Sequence, residues 1–228
     1  MLNNIFVRSG IYPTTSNQQA DYTIAVNGDV IIGPGCAYDQ LIINVFDSVT
    51  FQPWRNNVPG GGLYGSGPLC GTQREYNFHF QLGDTSSRRK AMDFLNNIVP
   101  DGSYVSIRSN TAPWDAGNTY AAVWAADTVY YGSGNSLYHT LKNQGFSMID
   151  DFDTTTAFTF VYKKNRQATF APREIIQENV YEPLLLSVDC PTPDTIGFIT
   201  SPVFGPAKEW KFLKWRGNSE DMTAGDRP

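Results

Sequence analysis

The chain has few of the residue types from which catalytic and metal sites are built. Its 228 residues include two histidines, His79 and His139, and three cysteines. A zinc site with three histidine ligands is therefore excluded. The glycines between residues 60 and 67 are not followed by Lys-Ser or Lys-Thr at the start of a helix, which a phosphate-binding loop requires. We expect no cofactor.

Positive charge and long apolar runs are also scarce. The net charge is -5, and the basic residues form only two short clusters, at 88–90 and 163–166. Because nucleic acid demands a basic surface that replaces its counterions, we expect no nucleic-acid partner. No stretch reaches the ~20 apolar residues of a membrane span, and residues 1–10 lack the apolar core of a signal peptide. The sequence predicts no membrane span.

The hydrophobic content of 41% and aromatic content of 14% are ample for a packed core, so we expect a folded chain. The cysteines are Cys36, Cys70 and Cys190, and at least one of them has no partner within the chain. Cys36 and Cys70 both lie in Gly/Pro-rich stretches. A disulfide between these two and three free thiols are both open alternatives.

Residues 84–164 hold the clearest pattern of elements. Asp84 can cap a helix, which apolar residues at helical spacing then continue to Ile98, and residues 100–102 form a turn. The other elements predicted here are a half-buried strand at 104–108, a helix from Ser136 that ends at Gly145, and strands at 146–152 and 157–162 around a polar turn at 153–156. For residues 119–131 propensity favours a short helix, while a strand uses Val123, Val129 and Tyr130 equally well.

The flanking regions add strands. The sequence Asn27-Gly28 predicts a hairpin between 22–26 and 30–32, and the apolar run 41–46 predicts an interior strand covered on both faces. Residues 75–82 alternate strictly, which places His79 on the polar face, toward solvent or a loop. After residue 164, strands are expected at 181–188 and 196–199, and the aromatic residues of 210–215 are expected to anchor this part.

The order of these elements resembles the interleukin-like EMT inducer family, over residues 39–164. The resemblance is carried by the opening strand at 41–47, the helix around 91–95, the turn at 100–102, the helix 136–144 closed by Gly145-Phe146, and the aromatic strand 158–163. It implies an α+β fold with antiparallel sheets flanked by short helices. The domain organisation expected is a linker at 1–20, the family-like domain at 21–168, a β-rich arm at 169–217 and a tail at 218–228.

The resemblance also implies a function in binding. Animal members are secreted signalling proteins, a similar module in a glycosyltransferase stem binds glycan, and others occur in large secreted bacterial proteins, including type IX secretion sortases. We therefore expect a non-catalytic binding module of a larger secreted or cell-surface protein, with a glycan or protein ligand. The alternative is a structural module that positions a neighbouring domain, such as a peptidase-like domain.

Aromatic residues in or beside two long insertions, 56–73 and 110–134, are the candidate ligand contacts, because aromatic rings stack on sugars and anchor protein partners. The candidates are Trp54, Tyr64, Trp114, Tyr120 and Trp124, and Tyr130 and Tyr131 lie beside them. The alternative for each ring is that it covers the core.

Two further chemistries carry less weight. A cysteine nucleophile needs a nearby histidine, and Cys70 with His79 is the pairing close in sequence, but strand alternation explains His79 without it. Asp150, Asp151 and Asp153 offer oxygen ligands for calcium but lack the spacing and bidentate glutamate of an EF-hand loop, so a polar turn is favoured. We expect neither catalysis nor a metal site.

Overall fold

A computed structural model describes residues 1–15, 22–32, 40–56, 64, 75–111 and 117–193. The strands are β1 (Leu2–Ser9), β2 (Tyr22–Val26), β3 (Asp29–Ile32), β4 (Gln40–Phe46), β5 (Phe78–Gln81), β6 (Tyr104–Asn110), β7 (Phe158–Lys163), β8 (Arg173–Ile176) and β9 (Leu184–Pro191). The helices are α1 (Thr85–Asp93), α2 (Ala121–Ala126), α3 (Thr128–Tyr131) and α4 (Leu137–Asn143), with a π-helical turn (Phe94–Ile98) and a 3₁₀ helix (Met148–Asp151).

The strands form two antiparallel sheets. The four-stranded sheet has the order β3-β2-β1-β9 and the five-stranded sheet the order β5-β4-β6-β7-β8. Along β4, Ile43 and its neighbours on one face join the core under the helices, whereas Ile42 faces a second core shared with the four-stranded sheet. The predicted α+β fold with antiparallel sheets and short helices is therefore confirmed.

The two middle strands of the five-stranded sheet are buried on both faces. All seven residues of β4 are buried, which confirms the prediction of a covered interior strand. The strand predicted at 104–108 is confirmed as β6, but all seven of its residues are buried, so the prediction that it is only half-buried is wrong. Ser106 and Arg108 resemble solvent-facing residues, but they lie on the same face of β6 as Tyr104, which packs in the core shared with the four-stranded sheet.

Residues 2–9 were expected to be linker, and they form β1, which pairs with both β2 and β9. Ile5 and Val7 are buried while Phe6 and Arg8 are exposed, so β1 has the alternation of a sheet with one covered face. The predicted hairpin of β2 and β3 is confirmed, with Asn27 and Gly28 at the positive φ angles that the tight turn requires.

Part of the predicted C-terminal arm belongs to the two sheets. β8 extends the five-stranded sheet beside β7, and β9 pairs with β1 along its whole length. The strand predicted at 181–188 is confirmed with shifted ends, at Leu184–Pro191. Residues 2–192 form one compact unit. The expected strand at 196–199, the anchor at 210–215 and the tail at 218–228 lie outside the described residues.

The segment 146–152, predicted as a strand, is a turn of 3₁₀ helix flanked by Phe146 and Phe152. Phe146, Ile149 and Phe152 are buried and recur every third residue, which suits a 3₁₀ helix and conflicts with the two-residue repeat of a strand. For residues 119–131 the helical alternative is confirmed by α2 and α3. The predicted helix after Ser136 is also confirmed, as α4, with Gly145 at φ +95° beyond its end.

The start of α1 agrees with the sequence, since the Asp84 carboxylate accepts hydrogen bonds from the N–H groups of Ser86 and Ser87. The hydrogen bond from the Ser86 hydroxyl, together with these two, holds the pKa of Asp84 below its usual value. Because the folded-state pKa is lowered, the ionised cap stabilises the fold above the unfolded pKa of about 3.9, and this stabilisation is lost as the pH falls through the folded-state pKa.

Asp84→Asn is expected to remove this acid sensitivity while retaining the cap, because asparagine caps helices about as well as aspartate. The free energy of unfolding, measured by urea denaturation from about pH 6 down to about pH 3, should fall more steeply in the natural protein than in the variant. Parallel curves over this range would show that the Asp84 carboxylate does not contribute in its ionised form.

Candidate functional site

One predicted ligand contact, Trp124, lies inside the core. Its side chain is 0% exposed, with ring centroids 5.3 Å from Phe152 and 6.3 Å from Phe158. The indole Nε1–H donates to Thr119 Oγ1 at 2.9 Å, so its polar atom is satisfied within the protein. The prediction of a ligand contact is therefore wrong for Trp124, which has no surface to offer.

Trp54 and Tyr64 are half-buried against the helix-side core. The Tyr64 ring lies 5.1 Å from that of Phe94, and its hydroxyl donates to Asp93 Oδ2 at 2.8 Å. Burial first, and then this bond to a carboxylate, raise the pKa of Tyr64. Each ring therefore leaves one part accessible to a ligand.

Tyr120 is also half-buried, with its ring 5.4 Å from Phe152 and its hydroxyl 2.6 Å from Thr155 Oγ1. Phe152 packs on β7, whereas the Phe94 ring beside Tyr64 packs on β5. Three strand spacings separate β5 from β7, about 14 Å, so Tyr64 and Tyr120 do not share one stacking platform. Trp114 lies outside the described residues.

The most exposed aromatic surface of the described insertion is instead on α3. Val129 is 83% exposed and Tyr130 is 74% exposed, and the half-buried Tyr131 completes what we call the aromatic turn (Val129, Tyr130, Tyr131). The Arg89 guanidinium carbon lies 4.9 Å from the centre of the Tyr131 ring, within the range of a cation–π contact. A ring, a branched aliphatic side chain and a cation are thus presented together.

The aromatic turn is anchored through Asp127. The backbone N–H groups of Tyr130 and Tyr131 donate to Asp127 O at 2.9 and 3.2 Å, and the chain leaves through Gly132 at φ +90°. The Tyr131 hydroxyl donates to Thr85 O of α1 at 3.3 Å. These bonds hold the one-turn helix against the start of α1.

A buried ion pair joins the same two elements. Arg88 Nε donates to Asp127 Oδ2 at 2.7 Å and Arg88 Nη2 to Asp127 Oδ1 at 2.8 Å, and the two side chains are only 3% and 5% exposed. The guanidinium also donates to Leu82 O and to Thr85 Oγ1. Because the pair is bidentate and dry, it fixes the position of Asp127, and with it the aromatic turn.

His79, the histidine considered as the partner of a cysteine nucleophile, lies inside the protein. His79 is 0% exposed, and its Nδ1 lies 3.0 Å from Gln40 Oε1, so the prediction that it faces solvent or a loop is wrong. It lies on the face of β5 opposite the helices, where the second core continues. Cys70 lies outside the described residues. Cys190 is a buried free thiol whose pKa burial raises to about 12, which leaves it un-ionised at neutral pH.

Of the three acidic residues near 150, Asp150 uses its carboxylate in hydrogen bonds within the protein. The Asp150 carboxylate accepts from Lys142 and, at 2.6 Å, from the Tyr138 hydroxyl, and these bonds lower its pKa. Over the part of the chain that the structure describes, no group of three histidine, cysteine, aspartate or glutamate side chains is placed to hold a metal ion. Nor does any helix there have the length and apolarity to cross a membrane.

In comparisons with known proteins, no protein-family model matches the chain, and no curated protein matches it significantly. The candidate site thus rests on the geometry of the aromatic turn alone. The structure distinguishes its rings from Trp124: Trp124 follows the buried Ala121 by three residues on the same face of α2, whereas Tyr130 lies in a single turn closed by Gly132.

Proposed function

We propose that this chain is a non-catalytic binding module of a larger secreted or cell-surface protein, similar to the interleukin-like EMT inducer family, with a glycan as its ligand. The observation that carries the proposal is the exposed ring of Tyr130, held on a turn that the buried Arg88–Asp127 pair fixes in place. The α+β fold, with antiparallel sheets and short helices, is the one that the resemblance implies.

The surroundings of Tyr130 suit a sugar. A tyrosine ring presents a flat apolar face for the C–H groups of a pyranose and loses little conformational entropy on binding, since it has only two side-chain torsions. Arg89 lies against the ring of Tyr131 and Asn135 Nδ2 lies near Gly132, and both side chains have N–H donors for sugar hydroxyls. A site held in place before binding also avoids part of the entropic cost of ordering.

The test is a glycan array probed with the natural chain and with two variants, Tyr130→Ala and Tyr181→Ala. Both tyrosines are 74% exposed, but Tyr181 lies in the connection between β8 and β9, so it is a matched control. Tyr130→Ala is expected to weaken the strongest interaction at least about ten-fold, which corresponds to about 1.4 kcal/mol, whereas Tyr181→Ala should leave it unchanged.

Circular dichroism of the variants shows whether each retains the fold. Equal binding by the natural chain and Tyr130→Ala would refute the site. The absence of any glycan signal at high protein concentration would instead favour the structural role, in which the module positions a neighbouring domain of a longer chain.

A further inference from the structure

The outer face of the four-stranded sheet carries large apolar side chains. We call it the outer sheet face. Leu2 is 66% exposed, Phe6 36%, Val30 65% and Leu185 54%, all on strands of this sheet. A face of an antiparallel sheet that meets only water is mostly polar, so exposed apolar side chains close together on it indicate an interaction surface. Phe6, Val30 and Leu185 lie on neighbouring positions of this face, whereas Asn4 and Asp189 separate Leu2 from Phe6.

The strand register arranges this face in rows. In the central row, Phe6 lies between Ser187 of β9 and Ala25 of β2, and Ala25 in turn lies opposite Val30. Two residues along β1 in one direction, Arg8 lies beside Leu185. Two residues in the other direction, Asn4 lies beside Asp189 and donates to its carboxylate at 3.0 Å. The central row is thus flanked by a row with a cation on one side and a row with an anion on the other.

The two charges are too far apart to pair with each other within one chain, since their rows are four residues apart, about 13 Å. A two-fold axis along the central row, at right angles to the strands, removes this separation between two copies. This axis stacks Phe6 of one copy on Phe6 of the other and reverses the strand direction between the copies. Arg8 of each copy then lies over the row that contains Asp189 of the other copy. Stacked sheets lie about 10 Å apart, which an arginine and an aspartate side chain span together.

We propose that the outer sheet face binds a second copy of this chain, in a symmetric dimer with an apolar centre and two Arg8–Asp189 contacts between copies. The surface that forms a two-fold interface must be complementary to itself, and one cation and one anion on opposite sides of the axis meet this requirement. Four strands of at most eight residues cover about 500 Å² in projection, less than the about 800 Å² per partner of a standard stable interface. The dimer is therefore weak and forms at high protein concentration.

The proposal is tested by sedimentation velocity with two charge reversals, Arg8→Asp and Asp189→Arg. A concentration series up to about 1 mM reveals dimers of millimolar to micromolar affinity. Alone, each variant places like charges opposite each other twice, so self-association should weaken at least about ten-fold. When the two variants are mixed, a dimer with one copy of each has an opposite-charge pair at both contacts. One contact is the natural Arg8–Asp189 pair, and at the other contact the two charges are exchanged. The mixture should recover dimerisation to within about three-fold of the natural chain.

Both residues are exposed, so the variants should keep the melting temperature of the natural chain within a few degrees, which checks the fold. Recovery in the mixture separates the proposed contact from any loss of structure, because a damaged fold is not repaired by a second damaged chain. The proposal is overturned if the natural chain stays monomeric throughout the series, if either single variant associates as strongly as the natural chain, or if the mixture does not recover.

Discussion

Replacement of Asp127 by alanine is expected to lower the free energy of unfolding by about 3–5 kcal/mol. The Arg88 guanidinium is 3% exposed on its side chain and bonds to both carboxylate oxygens, so the variant leaves a buried charge without its counter-ion. Leu82 O and Thr85 Oγ1 remain as acceptors, but neither carries a charge. The loss is measured by urea denaturation, with tryptophan fluorescence as the signal of unfolding.

The control is Asp151→Ala, because Asp151 is exposed and this change should alter the free energy of unfolding by no more than about 0.5 kcal/mol. The double variant Arg88→Met with Asp127→Leu should recover much of the loss, since replacing a whole buried ion pair with apolar residues is often neutral. A double variant as unstable as Asp127→Ala, or a single variant that loses less than about 1 kcal/mol, would contradict the role of the pair.

Trp124→Ala is the second large effect, with an expected loss of about 3–5 kcal/mol, because it empties a fully buried aromatic position among Phe152 and Phe158. Trp54→Ala removes the same side chain from a half-buried position and should cost clearly less. Denaturation of the two variants side by side makes the comparison. Equal losses would mean that Trp124 does not lie in the core as the structure places it.

Local signals in the sequence were enough to predict several elements correctly. Asp84 as helix cap, the Asn27-Gly28 turn and the end of a helix at Gly145 are each determined by one or two neighbouring residues, and each is found in the structure. The helical alternative for 121–126 also follows from local propensity, since alanine is the strongest helix former.

The errors at His79 and at the polar residues of β6 have one physical cause, which is that each sheet covers one face of the other. His79 and Arg108 look solvent-facing because their strands alternate apolar and polar residues, yet both lie in the space between the two sheets. There the polar atoms meet each other: Arg108 Nη2 donates to Asn44 Oδ1 at 2.7 Å, and Asn44 Nδ2 donates to Asn77 Oδ1 at 2.7 Å. A single strand does not reveal that a second sheet buries its polar face.

Contacts between residues that are distant in sequence determine the position of β1 and the exposure of the rings near the candidate site. β1 pairs along its whole length with β9, which follows it by about 180 residues, and β2 covers only residues 5–9 of its other edge. Likewise, Trp124 is buried because α2 packs on Phe152 and Phe158, which are distant in sequence, whereas Tyr130 lies on α3, which Tyr131 and the Arg88–Asp127 pair attach to α1. Composition identified the insertion as aromatic but did not choose between its rings.

The proposal that the aromatic turn binds a glycan is tested most directly by NMR. Side-chain signals of Val129, Tyr130 and Tyr131 are followed while the strongest glycan from the array is added to the natural chain. We expect perturbations centred on these three residues and Arg89, with the signals of Tyr181 unchanged. Perturbations centred on Trp54 and Tyr64, or none at saturating glycan, would contradict the assignment of the aromatic turn as the binding site.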